Sequence, residues 1–240
     1  MNEIISRHER IALQLSGGKD SLACLYLLRP YWDRITVYWC DIGDSYPETS
    51  AQMNRIRAEV PHFVQIDGQQ PEVIKQFGIP SDIVPTSATP MGVSAASKGF
   101  LIQDRYSCCV RSKMLPMHER MISDGITLII RGHKKSDAEK GPLCSGQVDG
   151  GIEYLFPVED WTDANVLAFL REQGVEIPRF YELLTDTPEC MTCSAWWDKG
   201  RSKYQKRYHI EAYKIVQERL ETIREAIAPH IKDFNDEVAS

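Results

Sequence analysis

Short apolar runs alternate with helix-like spacings along the first part of the chain. Ile11 to Leu15, Ile35 to Cys40 and Phe63 to Ile66 have the length and the β-branched or aromatic content of strands. Between them, leucines recur at helical spacing from Asp20 to Leu28, and Glu48 to Val60 forms a polar helical pattern that ends before a proline. This alternation predicts right-handed crossovers and a doubly wound α/β fold with a mainly parallel sheet.

The later part of the chain is mainly helical in pattern, apart from a strand-like run at Ile126 to Ile130. Helical spacing is found at Cys109 to Ser123, at Thr162 to Glu172 with Thr162 as N-cap, and at Arg201 to Ile227, which is expected to end before Pro229. Pro80 to Lys98 is rich in Ser, Thr, Pro and Gly, which predicts a long mobile loop. The pattern therefore adds a helical C-terminal segment to the α/β fold.

Composition places the chain among globular proteins. Its 240 residues are 42% hydrophobic and 26% charged. The sequence has no run of about 18 apolar residues and no charged-then-apolar leader, so we expect a cytoplasmic protein with no membrane partner. A net charge of −6 argues against extensive coating by nucleic acid, although a local basic patch can still bind a polyanion.

The loop after the first strand has the composition of an anion site. Gly17 and Gly18 permit a tight turn, so that N–H groups and the start of the next helix can point at a phosphate, and Lys19 adds a positive charge. The predicted nucleotide-binding residues here are Ser16, Gly17, Gly18, Lys19, Asp20 and Ser21. The spacing differs from a Walker A loop. An ordinary strand-to-helix turn is the structural alternative.

Four of the seven cysteines are spaced as a metal site, since Cys108 and Cys109 are adjacent and Cys190 and Cys193 form a CxxC pair. A reducing cytosol would keep the thiols free, which disfavours disulfides. Four thiolates can bind iron or zinc. Adjacent cysteines chelate a single ion poorly, so the pattern favours an iron–sulfur cluster over zinc, and zinc remains the alternative.

Three other regions contain candidate chemistry. A second glycine loop, with Gly132, His133 and Lys134, follows the strand-like run and could also bind an anion. Residues 196–208 interleave bases with aromatic side chains, which suits either nucleic acid or a solvated helix face that covers the metal site. Cys144 lies in a glycine-rich stretch and could reach a bound nucleotide, whereas Cys24 and Cys40 are interpreted as packing residues.

Several motifs resemble one known group of enzymes. Ser16-Gly17-Gly18-Lys19-Asp20-Ser21 is similar to the PP-loop of the adenine-nucleotide α-hydrolase-like superfamily. Within it, the chain resembles the iron–sulfur type of adenylyl-sulfate (APS) and phosphoadenylyl-sulfate (PAPS) reductases. The matches are Asp41-Ile42-Gly43 with Pro47-Glu48-Thr49 to their DTG…PET segment, Cys108 to Pro116 to their CCxxRKxxPL segment, and Phe156 to Val166 to their PLxxWTxxDV segment.

This resemblance implies an adenine nucleotide (APS, PAPS or ATP) and a [4Fe-4S] cluster bound by Cys108, Cys109, Cys190 and Cys193. Asp41 would lie on the adenosine side of the cleft. The predicted catalytic residues are Lys19, Lys113, Lys134 and Cys144, and Lys135 would help to neutralise the anion. Ser112 stands where the family has an arginine. We expect residues 1–188 to form the PP-loop nucleotide-binding domain and residues 189–240 a cluster-closing helical segment packed on it.

The resemblance fails at one point, because the reductases use a cysteine in a C-terminal ECG(I/L)H segment and no cysteine follows Cys193 here. Cys144 is the conceivable substitute, with thioredoxin or a similar thiol donor as partner. The alternative is a PP-loop ATP pyrophosphatase that activates a nucleic acid for cluster-dependent thiolation, and Gly132-His133 with Asp137 resembles the GHxxDD region of such enzymes. A nucleotide sensor without turnover, and a homo-oligomer, also remain open.

Overall fold

The computed structural model describes residues 1–96, 100–137, 141–184 and 189–240. Within these ranges the chain forms two compact units. The first unit comprises Met1–Asp41, Tyr46–Asp67 and Pro116–Glu182, and the second comprises Ile42–Ser45, Gly68–Leu115 and Leu183–Ser240. The predicted domain boundary at residue 188 lies outside the described residues and stays a prediction.

The first unit is built on a sheet with the strand order β3-β2-β1-β6-β8-β7, in which only the β7–β8 pair is antiparallel. Its strands are β1 (Ile11–Gln14), β2 (Ile35–Asp41), β3 (Phe63–Asp67), β6 (Leu128–Ile130), β7 (Val148–Asp149) and β8 (Ile152–Leu155). In the second unit, β4 (Ile79–Ser81) pairs in parallel with β5 (Ile102–Asp104). The predicted doubly wound, mainly parallel α/β sheet is confirmed.

Helices cover the sheet and form much of the second unit. They are α1 (Asn2–Ser6), α2 (Lys19–Leu27), α3 (Pro47–Glu59), α4 (Gln70–Phe77), α5 (Pro90–Ala96), α6 (Arg105–Cys109), α7 (Leu115–Ser123), α8 (Asp163–Glu172), α9 (Lys199–Tyr208) and α10 (Ile210–Val238). Shorter turns are 3-10 helices at Arg29–Arg34, Thr86–Ala88 and Arg179–Glu182, and a π-helix at Val110–Met114. The predicted helical C-terminal segment is confirmed by α9 and α10.

The core of the first unit lies where the central strands meet α2. Leu13 of β1, Leu22 of α2 and Leu128 of β6 are fully buried in one cluster. All of β6 is buried, as expected for a parallel strand that is covered on both faces. The register pairs Ile11 with Ile35 on one side and with Leu128 on the other.

The order of the strands creates a switch point at β1. From β1 the chain proceeds outward through β2 to β3, and it later returns to place β6 on the opposite side of β1. In open α/β sheets the crevice outside the carboxyl ends of two such strands is the usual ligand site. The loops that follow β1 and β6 therefore occupy the position that the fold favours for binding.

Two element predictions are wrong. The segment that begins at Pro80 is not one long loop, because it contains the 3-10 turn at Thr86–Ala88 and helix α5. Thr89 accepts a hydrogen bond from the N–H of Gly92 at 3.2 Å, and Pro90 takes the first helical position, where its missing N–H costs nothing. The predicted end of this segment, at Lys98, lies outside the described residues.

The C-terminal helix also departs from its predicted end. It continues through Pro229 to Val238. A proline removes one main-chain donor, and a helix of 29 residues retains its bonds on both sides of that position.

The predicted N-cap Thr162 is confirmed, with a reciprocal bond to Asn165. None of the helices in the described ranges is both long and apolar enough to cross a membrane.

Candidate functional site

The loop between β1 and α2 has the geometry of an anion cradle. Gly17 has a φ of +86°, a conformation that favours glycine, and a Cβ there would lie 2.8 Å from Cε of Met53. The hydroxyl of Ser21 donates to the carbonyl of Gly18 at 2.9 Å. The N–H of Lys19 donates to the hydroxyl of Tyr181 at 2.8 Å. The loop is thus fixed at the start of α2, where N–H groups favour an anion.

The second glycine loop packs directly against this helix start. A Cβ on Gly132 would lie only 2.5 Å from the main-chain nitrogen of Ser21 and 2.6 Å from the carbonyl carbon of Asp20. No side chain can be accommodated at that distance. The absence of a Cβ therefore allows the backbone after β6 to approach the backbone after β1.

The two loops bring two buried lysines together. The side chains of Lys19 and Lys134 are 5% and 3% exposed. Asp20 contacts Lys134 at 2.7 Å and Lys19 at 3.2 Å, and Asp163 contacts both ammonium groups, at 3.2 and 3.4 Å. Burial alone would lower the pKa of Lys134, but bonds to Asp20 and Asp137 raise it, so this lysine stays charged.

The other predicted residues of this unit lie at the ends of strands. Asp41 closes β2 and is half-buried, whereas His133 is exposed and its ring lies 6.2 Å from that of Phe156. Cys144 is exposed. The pKa of Lys135 is raised mainly by its bond to Asp160, and less by Glu159 and Cys144. The stretch near Cys144 begins at Lys140, which, like Ala138 and Glu139, lies outside the described residues.

All four predicted metal ligands belong to the second unit. Cys108 and Cys109 end α6, which Asp104 caps by accepting the N–H of Ser107 at 2.8 Å. The helix continues directly into the π-helix, so the predicted helix at Cys109 begins earlier, at Arg105. Single π turns often mark functional sites, because they change the direction of side chains within a helix.

The CxxC turn is held by side chains from distant parts of the sequence. Asp44 accepts the N–H and the hydroxyl of Thr192 at 2.8 and 2.7 Å, and its carbonyl accepts the N–H of Met191 at 2.7 Å. Arg219 donates to both oxygens of Thr192. Buried Arg201 donates to the carbonyl of Cys193. We call Asp44, Arg201 and Arg219, together with Gln205, which donates to Met191 at 2.6 Å, the CxxC clamp.

The chemistry of the four thiols fits an iron–sulfur cluster. Burial raises the pKa of each, that of Cys108 to about 11, and Cys193 further raises the pKa of the other three. Arg105, Lys113, Arg201 and Arg219 lower individual values. Within the described residues, no group of three or more His, Cys, Asp or Glu side chains is placed to hold a metal ion. The metal role of the cysteines stays a prediction.

Two residues beside the cysteine pair differ in their surroundings, because Lys113 forms an ion pair and Ser112 is buried. Lys113 pairs with Glu189 at 2.6 Å, and both side chains are 30% exposed. Burial would lower the pKa of Lys113, but Glu189, Cys109 and Cys190 raise it. Ser112 is buried, with its hydroxyl 3.8 Å from the sulfur of Cys108.

Helix α9 covers most of the basic and aromatic stretch at 196–208. Arg201 and Tyr204 are buried, and Arg201 belongs to the CxxC clamp, so one face of this helix packs inward. The bases exposed on the other face are Lys199, Lys203, Lys206 and Arg207. Nucleic-acid binding stays a prediction.

Exposed Trp197 also borders a groove of about 670 Å³ along α10, which none of the predicted site residues lines.

Sequence reasoning missed the roles of several residues. Asp163 and Tyr181 contact the phosphate loop from more than 140 positions away. Asp44 and Arg219 reach the CxxC turn from opposite ends of the sequence. These contacts join residues that are far apart in the sequence, so no local pattern marks them.

Comparison with known proteins gives one family. The model of the phosphoadenosine phosphosulfate reductase domain matches residues 10–196. An adenosine 5'-phosphosulfate reductase of Burkholderia cepacia is 20% identical over 222 residues, with 87% of this chain and 84% of that protein covered. The crystal structure of a phosphoadenylyl-sulfate reductase from Candida auris superposes with a TM-score of 0.57 at 15% identity, with 78% of this chain and 85% of that chain covered.

Proposed function

The chain belongs to the phosphoadenosine phosphosulfate reductase domain family, and from this membership we propose that it is an adenine-nucleotide-binding [4Fe-4S] enzyme of sulfur metabolism. It would resemble APS and PAPS reductases and act at the phosphate or sulfate end of the nucleotide. The observation that carries this proposal is the contact of two glycine loops at the switch point of the sheet, which brings buried Lys19 and Lys134 to the start of α2.

The predicted binding residues at the ends of the strands have different roles in this proposal. The N–H groups of residues 16–21, other than that of Lys19, which donates to Tyr181, would bind the phosphate or sulfate oxygens. Lys19 and Lys134 would neutralise their charge. Asp41, at the end of β2, would lie on the adenosine side. Gly132 and His133 would shape the same edge of the sheet. Such a site stabilises negative charge that develops on a leaving phosphate or sulfate.

Cys108, Cys109, Cys190 and Cys193 would hold the [4Fe-4S] cluster in the second unit. When bound, the cluster would supply a redox-active centre and a strong local field. Lys113, paired with Glu189, and Arg219 would offset the charge of the thiolates. Helix α6 and the CxxC clamp would orient the two cysteine pairs.

Cys144 is the proposed nucleophile in the reductase reaction. Its thiolate would attack the sulfur of the sulfonucleotide, the S–O bond to the nucleotide would break, and the electron pair of that bond would leave with the phosphate. A dithiol such as thioredoxin would then release sulfite from the S-sulfocysteine and become a disulfide. The exposure of Cys144 supports this role, because a nucleophile must be accessible to its substrate.

An anaerobic assay of sulfite release tests the reaction. The purified protein is incubated with APS or PAPS and reduced thioredoxin, beside a Cys144→Ser variant. Sulfite from the wild type and none from the variant is the expected result. Sulfite from both proteins would remove Cys144 from the mechanism, and no sulfite from either nucleotide would reject the reductase reaction.

The second candidate is a PP-loop ATP pyrophosphatase that activates a nucleic acid for cluster-dependent thiolation. One observation favours it, namely that α9 exposes four bases that a polyanion could contact, which are Lys199, Lys203, Lys206 and Arg207. The assay is pyrophosphate release from ATP with and without RNA or DNA. Stimulation by nucleic acid would support this candidate, and release that is indifferent to nucleic acid would count against it.

A further inference from the structure

One oxygen of Asp163 occupies a position between two buried cations. Its Oδ1 lies 3.4 Å from Nζ of Lys19 and 3.2 Å from Nζ of Lys134. The two lysine side chains are 5% and 3% exposed, whereas the Asp163 side chain is 50% exposed. A carboxylate on a half-exposed side chain therefore bridges two ammonium groups that are themselves shielded from water.

The other two carboxylates of this group are tied into the loops. Asp20 stands in the first turn of α2 and uses a separate oxygen for each lysine. Asp137 accepts the main-chain N–H of Lys134 at 2.8 Å as well as contacting its ammonium group at 3.0 Å. Asp163, in contrast, is the first residue of α8, and Thr162 caps that helix. The Asp163 side chain can therefore turn toward solvent while the main chain stays in place.

We propose that Asp163 occupies the subsite of a substrate oxyanion, and that a phosphate or sulfate oxygen of the nucleotide displaces its carboxylate from Lys19 and Lys134. This inference rests on the proposed function of the loop. Buried ammonium groups need a counter-charge, and carboxylate and phosphate oxygens are alternative anionic partners for them. A phosphate would additionally meet the N–H groups at the start of α2.

It follows that Asp163 is an internal competitor of the ligand. It keeps the two lysines paired in the free protein and lowers the affinity for any anion that enters. Two lysines with three carboxylates carry a net charge of −1, and removal of the Asp163 charge leaves the group neutral. The acid at this position thus sets how strongly the loop binds the anionic end of its nucleotide.

The test measures binding of inorganic phosphate and of APS by calorimetry at low ionic strength. Asp163→Asn is expected to bind both about tenfold more tightly, from the loss of one charge about 4 Å from the ligand in a partly solvated site. Glu176→Gln is the matched control: it makes the same change in net charge, but Glu176 is 73% exposed and pairs with exposed Arg55. Its affinities should equal those of the wild type.

Lys134→Gln separates this inference from the proposed function, since it should lose binding of both anions. If Lys134→Gln loses binding but Asp163→Asn binds as the wild type does, or more weakly, Asp163 is not a competitor and the inference is wrong. If Lys134→Gln binds as the wild type does, the proposed role of the loop is itself wrong. Should Asp163→Asn fail to fold, Asp163→Ser also removes the charge while Thr162 still caps α8, and it must bind more tightly.

Discussion

The loop between β1 and α2, residues 16–21, and the CxxC turn are held in their conformations by different kinds of contact. In the loop, backbone conformation sets the geometry, with Gly17 at positive φ and Gly132 in contact with the start of α2. In the CxxC turn, side chains set it, since Asp44, Arg201 and Arg219 hold main-chain groups of residues 191–193. The residues that shape the glycine loop can be recognised in a short run of sequence, whereas the side chains that hold the CxxC turn come from distant positions.

The charges of the two regions also differ. Around Lys19 and Lys134, three carboxylates outnumber two ammonium groups, so an anion must compete for its place. Around the four thiols, burial raises the pKa of every sulfur, and nearby cations only partly oppose that rise for Cys108, Cys109 and Cys193. An exchangeable ligand suits the first arrangement, whereas the sulfurs of the second would need a bound metal to stay ionised.

The largest effect is expected from loss of a thiol in the second region. Cys193→Ser should abolish iron and sulfide binding in anaerobically purified protein, because Cys193 acts electrostatically on all three other predicted ligands. Iron and sulfide quantitation with visible absorbance measures this. Cys144→Ser, at an exposed thiol, should retain the wild-type content. Colourless wild-type protein would refute the cluster.

A methyl group at Gly132 should destabilise the contact between the loop after β6 and the start of α2. Gly132→Ala places a carbon 2.5 Å from the Ser21 nitrogen, which belongs to backbone and cannot rotate away. We expect a loss of about 1–3 kcal/mol in the free energy of unfolding and much weaker nucleotide binding. Gly141→Ala, which meets nothing within 4 Å, is the control. Equal unfolding midpoints for the two variants would contradict the close approach of the loops.

Removal of the hydrogen bonds from Arg219 of α10 to Thr192 should destabilise the CxxC turn. Arg219→Gln is expected to cost about 1–3 kcal/mol, because it leaves oxygens of Thr192 without their charged donor. It should also speed iron loss to a chelator. Arg224→Gln changes the same charge on the same helix at a side chain that is 72% exposed, and should behave as the wild type does. Identical iron-loss rates in both variants would remove Arg219 from the clamp.

The smallest effect concerns the cap of the helix that bears the cysteine pair. Hydrogen bonds from Ser107 lower the pKa of Asp104. A carboxyl whose pKa is lowered by folding stabilises the protein above its unfolded pKa of about 3.9, and that stabilisation is lost as the pH falls through the folded value.

Asp104→Ala should therefore cost about 1 kcal/mol at neutral pH, and the difference from the wild type should shrink in acid. Urea unfolding at both pH values measures the change. Asp104→Asn, which still caps, should keep most of the stability at neutral pH. A deficit in the alanine variant that stays constant with pH would show that the carboxylate charge contributes nothing.

Much of the fold could be predicted, because its strands and helices are marked locally. β1, β2, β3 and the helices between them follow apolar periodicity and caps that lie within a few residues. The strand β8 was missed, since Ile152–Leu155 is short and derives its stability from pairing with β6. Pro229 predicts a helix end from the sequence alone, although the flanking turns keep α10 intact.

The sequence by itself determined the phosphate loop, the four cysteines and the parallel α/β sheet, because each is expressed in contiguous residue types or in a local period. The tertiary structure alone decided that Asp163 bridges Lys19 and Lys134, and that Asp44 and Arg219 hold the CxxC turn. Such contacts join residues far apart in the chain, so they depend on burial and on the direction of side chains, which exist only once the chain has folded.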